Sequence, residues 1–427
     1  MRQAVHKPKI LGGTITPPGD RSISVRAAIL SAISDGEARV SNYGPGADCA
    51  SAISVLKGLG AVIEPSGDGY IIQGRPLQEP SDVLDAGNSG TVMRLMAGLL
   101  AGQPFLSVLT GDRSLRSRPM DRIIAPLREM GASIDGREGG RLAPMSIRGS
   151  ELHGIRYRLP VASAQVKSSL LLAGLFAEGE TIIEQPALSR DHTERSLRAM
   201  GIGVEEDGLV ITLRPGRPAS VDVAVPADIS SAAFWLVAAV CHPDAEVRVE
   251  GVGMNPGRTG VLDVLAAMGA DITIENEREQ GGEPVADLVA RSSRLEATEM
   301  TGALIPRVQD EIPVLALAAC FANGTTVVAD AEELRVKETD RIRATVTELR
   351  RFGANIDETP NGMRITGGGA LKGASGRSYG DHRMAMMLGV AGLLASDSTE
   401  VGGAEAARVT YPGFWQDLAM LRGDGQG

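Results

Sequence analysis

The sequence predicts an α/β protein of two similar domains, each made of three βαβαββ-type units with buried helices, an inverse α/β barrel in outline. Three observations carry this. Six apolar, Ala-rich stretches recur along the 427 residues at intervals of roughly 65 to 80 residues, the signature of an internal repeat. Between them lie helices of another kind, amphipathic and closed by glycine. A short β-rich run follows each of these, such as SIDG, VEEDGLVITL or DITIENE.

The glycine-closed helices are SAISVLKGLGA (51–61), DRIIAPLREMGA (121–132), ERSLRAMGI (194–202), VLDVLAAMGA (261–270) and TVTELRRFGA (345–354). Their closing residues, Gly60, Gly131, Gly201, Gly269 and Gly353, fall where a left-handed residue ends a helix. The Ala-rich series is RSISVRAAILSAIS, NSGTVMRLMAGLLAG, ASAQVKSSLLLAGLFAEG, DISSAAFWLVAAV, QDEIPVLALAACFANG and DHRMAMMLGVAGLLA. With almost no charge along their length, these helices are expected inside the fold rather than on it. Three units per domain place the boundary around Pro226–Asp228. The expected domains are 18–227 and 1–17 plus 228–427, the strand before Pro17 returning to the C-terminal half, with the active site in the cleft between the halves.

Composition narrows the function. Hydrophobic residues make up 43% and charged residues 22%, as in a globular protein rather than a disordered one. A net charge of −10 argues against non-specific binding to nucleic acid or an anionic membrane. No apolar run reaches the ~20 residues of a membrane helix. Cys49, Cys241 and Cys320 are odd in number and widely spaced, which suits a reducing compartment, so a cytoplasmic protein is expected. His6, His153, His192, His242 and His382 share no ligand spacing, and no metal site is expected.

Polar residues concentrate where the buried helices begin. A helix start offers free N–H groups and a positive dipole end, and arginine adds bidentate recognition of phosphate and carboxylate. The segments are PPGDRSISVR (17–26), DAGNSGTVMR (85–94), GDRSLRSRPMDR (111–122), ASAQVKSS (162–169), SRDHTER (189–195), IPRVQDEIP (305–313), LRVKETDRIR (334–343) and YGDHRMA (379–385). Together they read as the lining of a cleft for a ligand with several negative charges. Cationic side chains in this chain are overwhelmingly arginine, with only six lysines against 37 arginines.

The ordered motifs PGDRSISVR, GNSGTVMRL, SLRSRPM, SAQVKSSLLLAGL, SRDHTER, DEIPVLALAA, VKETDR and GDHRMAM resemble the EPSP synthase family of enolpyruvyl transferases over residues 10–415. The SAQVKSS and SRDHTER forms are similar to the bacterial branch tied to glyphosate tolerance. The resemblance implies transfer of the enolpyruvyl group of phosphoenolpyruvate to the 5-hydroxyl of shikimate 3-phosphate. Phosphate is released, in the shikimate route to chorismate and the aromatic amino acids.

It also implies roles. Asp310 and Glu338 match the acid–base pair, on opposite sides of the reacting atoms, and Lys337 a lysine that shares the substrate hydroxyl's proton. Shikimate 3-phosphate contacts carry over to Ser22, Arg26, Ser163, Gln165, Arg190, Asp310 and Lys337. Those for phosphoenolpyruvate carry over to Arg21, Gly90, Arg118, Gln165, Arg341 and Arg383. No cofactor is implied, and a monomer is expected.

Three positions depart from the family pattern. Arg21 stands where the family has lysine, Val25 where it has a polar His or Asn, and Val409 where many members have a further lysine. Arg21 is expected to weaken or reshape the binding of phosphoenolpyruvate and glyphosate, because a planar guanidinium does not replace a compact ammonium at close range. Two rival readings accompany the main one. A UDP-amino-sugar enolpyruvyl transferase has a Lys-Asn pair near its N-terminus and a reactive loop cysteine, against Arg21-Ser22 and Cys49 here. A non-catalytic anion-binding homologue would have lost function at Arg21 and Val25, yet Asp310, Lys337, Glu338, Arg341 and Arg383 are all present.

Overall fold

Apolar helices can be buried only where other elements surround them, and here sheets do so twice over. The structure, a computed structural model, describes residues 1–423. The chain forms two compact units, Met1–Pro18 with Ala227–Arg278 and Pro284–Gly427, and Gly19–Pro226 with Glu279–Glu283. Each unit has its own hydrophobic core. The sequence placed 279–283 with the C-terminal half throughout. In the structure it joins the second unit, where Gln280 Nε2 donates to the Ala224 carbonyl at 2.9 Å. A carboxylate at Glu283 meets His192 Nδ1 at 2.7 Å. The last four residues of the expected 228–427 domain lie outside the described residues.

The second unit carries three four-stranded sheets of one pattern. In each, one short strand pairs in parallel with the next and the other contacts are antiparallel. Leu84–Asp85 lies parallel to Leu106–Thr110, and Arg156–Arg158 parallel to Thr181–Glu184. The sheet of Glu37–Ser41 takes its parallel strand, Val223–Ala224, from the far end of the unit. The first unit repeats the arrangement. Leu11–Ile15 runs parallel to Ala245–Gly253 and Glu299–Met300 parallel to Thr325–Val328. Its remaining sheet has three strands, with Arg2–Val5 antiparallel to Thr399–Gly402.

The six apolar helices are Arg21–Ile33, Gly90–Ala101, Ala164–Gly174, Ile229–Cys241, Ile312–Ala319 and His382–Leu394, buried along nearly their whole length. The amphipathic helices end as their sequences require: Gly60, Gly131, Gly201, Gly269 and Gly353 have φ of 80°, 102°, 79°, 79° and 87°. These values lie where a side chain would be strained. Among the described residues no helix is long and apolar enough to cross a membrane.

Small residues let the central helices approach closely. At Gly98 in the Gly90–Ala101 helix, a Cβ would stand 2.0 Å from the Ser169 carbonyl oxygen of the Ala164–Gly174 helix. Both partners are backbone or rigidly held, so neither can yield cheaply. Gly98→Ala should therefore lower stability by about 1–3 kcal/mol or more, despite alanine's better helix propensity. Urea denaturation checks this, and a loss below ~0.5 kcal/mol would mean that the helices separate freely.

Candidate active site

Five of the six buried helices open on a polar residue whose side chain caps them, the exception being Ile312–Ala319. Asp20 accepts from the Ser22 and Ile23 amides at 2.7 and 3.0 Å, and Ser89 from Val92 at 3.2 Å. Ser163 accepts from Val166 at 3.4 Å, and Asp381 from Arg383 at 2.8 Å. These caps satisfy helix-end donors and fix the residues immediately after them. Arg21, Ser22, Gly90, Gln165 and Arg383 occupy such following positions, whereas Arg118, Arg190, Asp310, Lys337 and Glu338 lie in segments outside these helices.

In the second unit Arg21, Ser22, Arg26, Gln165, Arg190 and His192 line one pocket of about 150 Å³ together with Val25, Asp48, Thr91 and Ala164. Arg21 Nη1 lies 3.4 Å from Asp48 Oδ2. Arg26 is held on three sides: Nε donates to Thr193 Oγ1 at 2.7 Å, Nη1 to the Ser22 carbonyl at 2.8 Å, and Nη2 to Ser168 Oγ at 2.9 Å. Burial pushes the Arg26 guanidinium down to about 10, with Glu194 the strongest charge opposing the shift. Ser163 stands next to the lining residue Ala164 as the cap of its helix.

Gly90 and Arg118 belong to the same unit. A Cβ at Gly90 would lie 2.8 Å from Arg94 Nη1 and 3.6 Å from Arg118 Nη1. Arg94 Nη1 donates to Gln165 Oε1 at 2.6 Å, and Gln165 Nε2 donates to Thr91 Oγ1 at 3.0 Å. Arg118 Nη2 donates to Asn88 Oδ1 at 2.8 Å. Burial, helped by Arg118 and Arg122, pushes Arg94 down to about 10. Three guanidinium groups thus crowd one region, which an anionic ligand would relieve. The family resemblance gives Arg94 no role, although it sits one turn after Gly90 in GNSGTVMR.

In the first unit the centre is Arg341, only 1% exposed. Its Nε and Nη2 reach Asp381 Oδ2 and Oδ1 at 2.8 and 3.4 Å, its Nη1 reaches Asp310 Oδ1 at 3.3 Å, and Nη2 also reaches Glu338 Oε2 at 2.7 Å. Burial opposes the Arg341 charge, but Asp381, Glu338 and Asp310 outweigh it and raise its pKa. Asp310 and Glu338, 23% and 47% exposed, keep oxygen atoms accessible. One guanidinium therefore holds both candidate acid–base groups.

Lys337 is 3.3 Å from Glu333. Arg383 lies 3.6 Å from Asp310 and 3.9 Å from Glu311. Two groups here were not anticipated. The sequence marks Asp381 only as part of the polar helix start YGDHRMA. Glu311, the neighbour of Asp310, is buried and takes a hydrogen bond from Ser230 Oγ, to which Arg258 Nη2 donates in turn at 2.7 Å. Nothing in sequence distinguishes Glu311 from an ordinary surface glutamate at a helix start.

Burial raises the Glu311 pKa, Arg383 opposes it, and Asp310 adds to the rise. A carboxyl whose folded pKa exceeds its unfolded value of about 4.3 gives its full stability below that pH and loses it as pH climbs through the raised value. Glu311→Gln removes that dependence. Between roughly pH 5 and pH 8 the variant should lose less stability than the native chain, as urea midpoints across that range would show. Parallel pH profiles would refute it.

Comparison with known proteins identifies the family. The family model for EPSP synthase, 3-phosphoshikimate 1-carboxyvinyltransferase, matches residues 5–418. The 3-phosphoshikimate 1-carboxyvinyltransferase of Herpetosiphon aurantiacus is 56% identical, over 99% of this chain and 100% of that protein. The Desulforudis audaxviator enzyme of the same name is 53% identical over 96% and 97%. Among solved structures, EPSP synthase from Acinetobacter baumannii superimposes with a TM-score of 0.92 at 42% identity over 98% of both chains. The enolpyruvyl transferase NikO from Streptomyces tendae has a TM-score of 0.79 at 19% identity, over 98% of this chain and 96% of that one, and shares the fold.

Proposed function

The chain belongs to the EPSP synthase family and transfers the enolpyruvyl group of phosphoenolpyruvate to the 5-hydroxyl of shikimate 3-phosphate, releasing phosphate, and we propose how its residues divide that work. The reaction is a step of aromatic amino acid biosynthesis. Our reading extends to a cytoplasmic enzyme that acts as a monomer.

The observation that carries the assignment is the single guanidinium of Arg341 between Asp310 and Glu338. The reaction needs a base for the 5-hydroxyl proton as its oxygen attacks C2, and an acid to protonate the C3 methylene. The second step removes a C3 proton again as phosphate leaves. Two carboxylates fixed on one cation, with accessible oxygen atoms, can exchange protons with both positions. Lys337 shares the hydroxyl proton.

Ser22, Arg26, Ser163, Gln165 and Arg190 hold shikimate 3-phosphate, and Asp310 and Lys337 are assigned contacts with the same substrate. Phosphoenolpyruvate is assigned to Arg21, Gly90, Arg118, Gln165, Arg341 and Arg383. Electrostatic positioning by such groups does most of the binding work for two anionic substrates. Transfer to a UDP-amino sugar is not favoured. Cys49 is buried, and burial pushes its thiol up to about 12, the reverse of a reactive thiolate.

Phosphate release from the two substrates tests the reaction, and absence of turnover would overturn it. Asp310→Asn and Glu338→Gln should each lower kcat by roughly a hundredfold or more while shikimate 3-phosphate still binds. A change confined to KM would contradict the acid–base roles. Arg21→Lys addresses the lysine that the family carries there. It should shift both the KM for phosphoenolpyruvate and the glyphosate inhibition constant, leaving shikimate 3-phosphate binding nearly intact. Unchanged constants would rule out a contact at Arg21.

A further inference from the structure

The ASAQVKSS and SRDHTER motifs bring Gln165 and Arg190 to the pocket, but two of their charged residues lie beneath it. Lys167 Nζ stands 2.6 Å from Glu194 Oε1, and both side chains are 1% exposed. The ammonium also reaches Gln185 Oε1 and the Ser189 carbonyl, each at 3.4 Å. Lys167 is two residues beyond Gln165 in the Ala164–Gly174 helix. Glu194 is four residues beyond Arg190, near the start of the His192–Ala199 helix.

Beside this pair Ser168 Oγ and Thr193 Oγ1 lie 2.7 Å apart, and Arg26 donates to both. Lys167 and Glu194 therefore belong to a buried polar layer that joins three helices directly behind the pocket. Burying a Lys–Glu pair is expensive, and apolar residues of like volume would pack there at least as well. Stability alone gives no reason for it. A reason exists if the pair sets the placement of the loop 185–190, because Lys167 grips that loop by a backbone carbonyl as well as by Gln185.

We propose that Lys167 and Glu194 are positioning residues for shikimate 3-phosphate. The pair locks the Ala164–Gly174 helix to the His192–Ala199 helix, which fixes Arg26 and Arg190 at the spacing that this substrate requires. The inference rests on the assignment of that pocket to shikimate 3-phosphate. Neither residue touches a substrate.

The test compares Glu194→Gln with the double variant Lys167→Met/Glu194→Leu. Calorimetry gives the Kd for shikimate 3-phosphate alone, steady-state kinetics the KM for each substrate, and thermal melts the stability. Glu194→Gln should raise Kd and KM for shikimate 3-phosphate roughly tenfold or more, since misplacement by about 1 Å can cost on the order of a hundredfold. The KM for phosphoenolpyruvate should stay within about threefold. The double variant should regain the native melting temperature, as apolar replacement of a buried pair allows, yet keep the weakened shikimate 3-phosphate binding.

A purely structural pair would recover both properties together, and that result overturns the proposal. So does an unchanged Kd in a folded Glu194→Gln variant. If Glu194→Gln does not fold, the double variant decides by its Kd. If neither folds, Glu194→Asp decides, because it keeps the charge but withdraws it by one methylene. Native turnover is measured first: its absence removes the assignment of the pocket, whereas turnover with unchanged Kd in the variants removes only the positioning role.

Discussion

A helix without a polar face can carry chemistry only at its ends. That constraint organises both units of this chain. The six central helices are buried along nearly their whole length, so polar side chains reach solvent or ligand from their first two turns. Those turns also have unsatisfied N–H groups and the positive end of the dipole. Asp20, Ser89, Ser163, Asp228 and Asp381 cap five of them through their side chains. The residues following the caps are then a natural place for binding groups, and Arg21, Ser22, Gly90, Gln165 and Arg383 occupy such positions.

The two clusters solve the problem of a buried guanidinium in opposite ways. Arg341 is surrounded by carboxylates, and its charge is favoured in spite of burial. Arg26 donates to two hydroxyls and a carbonyl, neutral acceptors, and burial pushes it down to about 10. The first environment is rich in anions and immobilises carboxylates. The second has little negative charge in direct contact with its arginine, and a phosphate would supply what is missing. Charge placement thus suits acid–base work in one unit and anion binding in the other.

Much of this was legible in the sequence because it is local. Glycine at a helix stop, alanine along a buried helix and a capping residue before it depend on a few neighbouring positions, and all recur through the repeat. Strand exchange was only partly legible. The strand before Pro17 could be assigned to the C-terminal half, but Val223–Ala224 beside Glu37–Ser41 could not, because two residues carry no pattern. Paired residues far apart were also silent. Arg341 with Asp310, or Arg26 with Thr193, are contacts between segments separated by 31 and 167 positions. The carboxylates are expected on opposite sides of the reacting atoms, an expectation that rests on the family resemblance and the chemistry it implies. Their common tie to Arg341 needed coordinates.

Gly90 shows how a legible residue can have a second reason. Its lack of a side chain leaves room for a ligand to approach the backbone. The space above it is also bounded by Arg94, whose Nη1 would lie 2.8 Å from any Cβ there, while the same nitrogen donates to Gln165 at 2.6 Å. A methyl group at position 90 would press first on the tip of a flexible arginine, not on backbone. That arginine could yield only by disturbing Gln165, the residue assigned to both substrates. The glycine therefore preserves the arrangement of a guanidinium and an amide as much as it preserves empty space. Steric and electrostatic requirements at this helix start are one requirement.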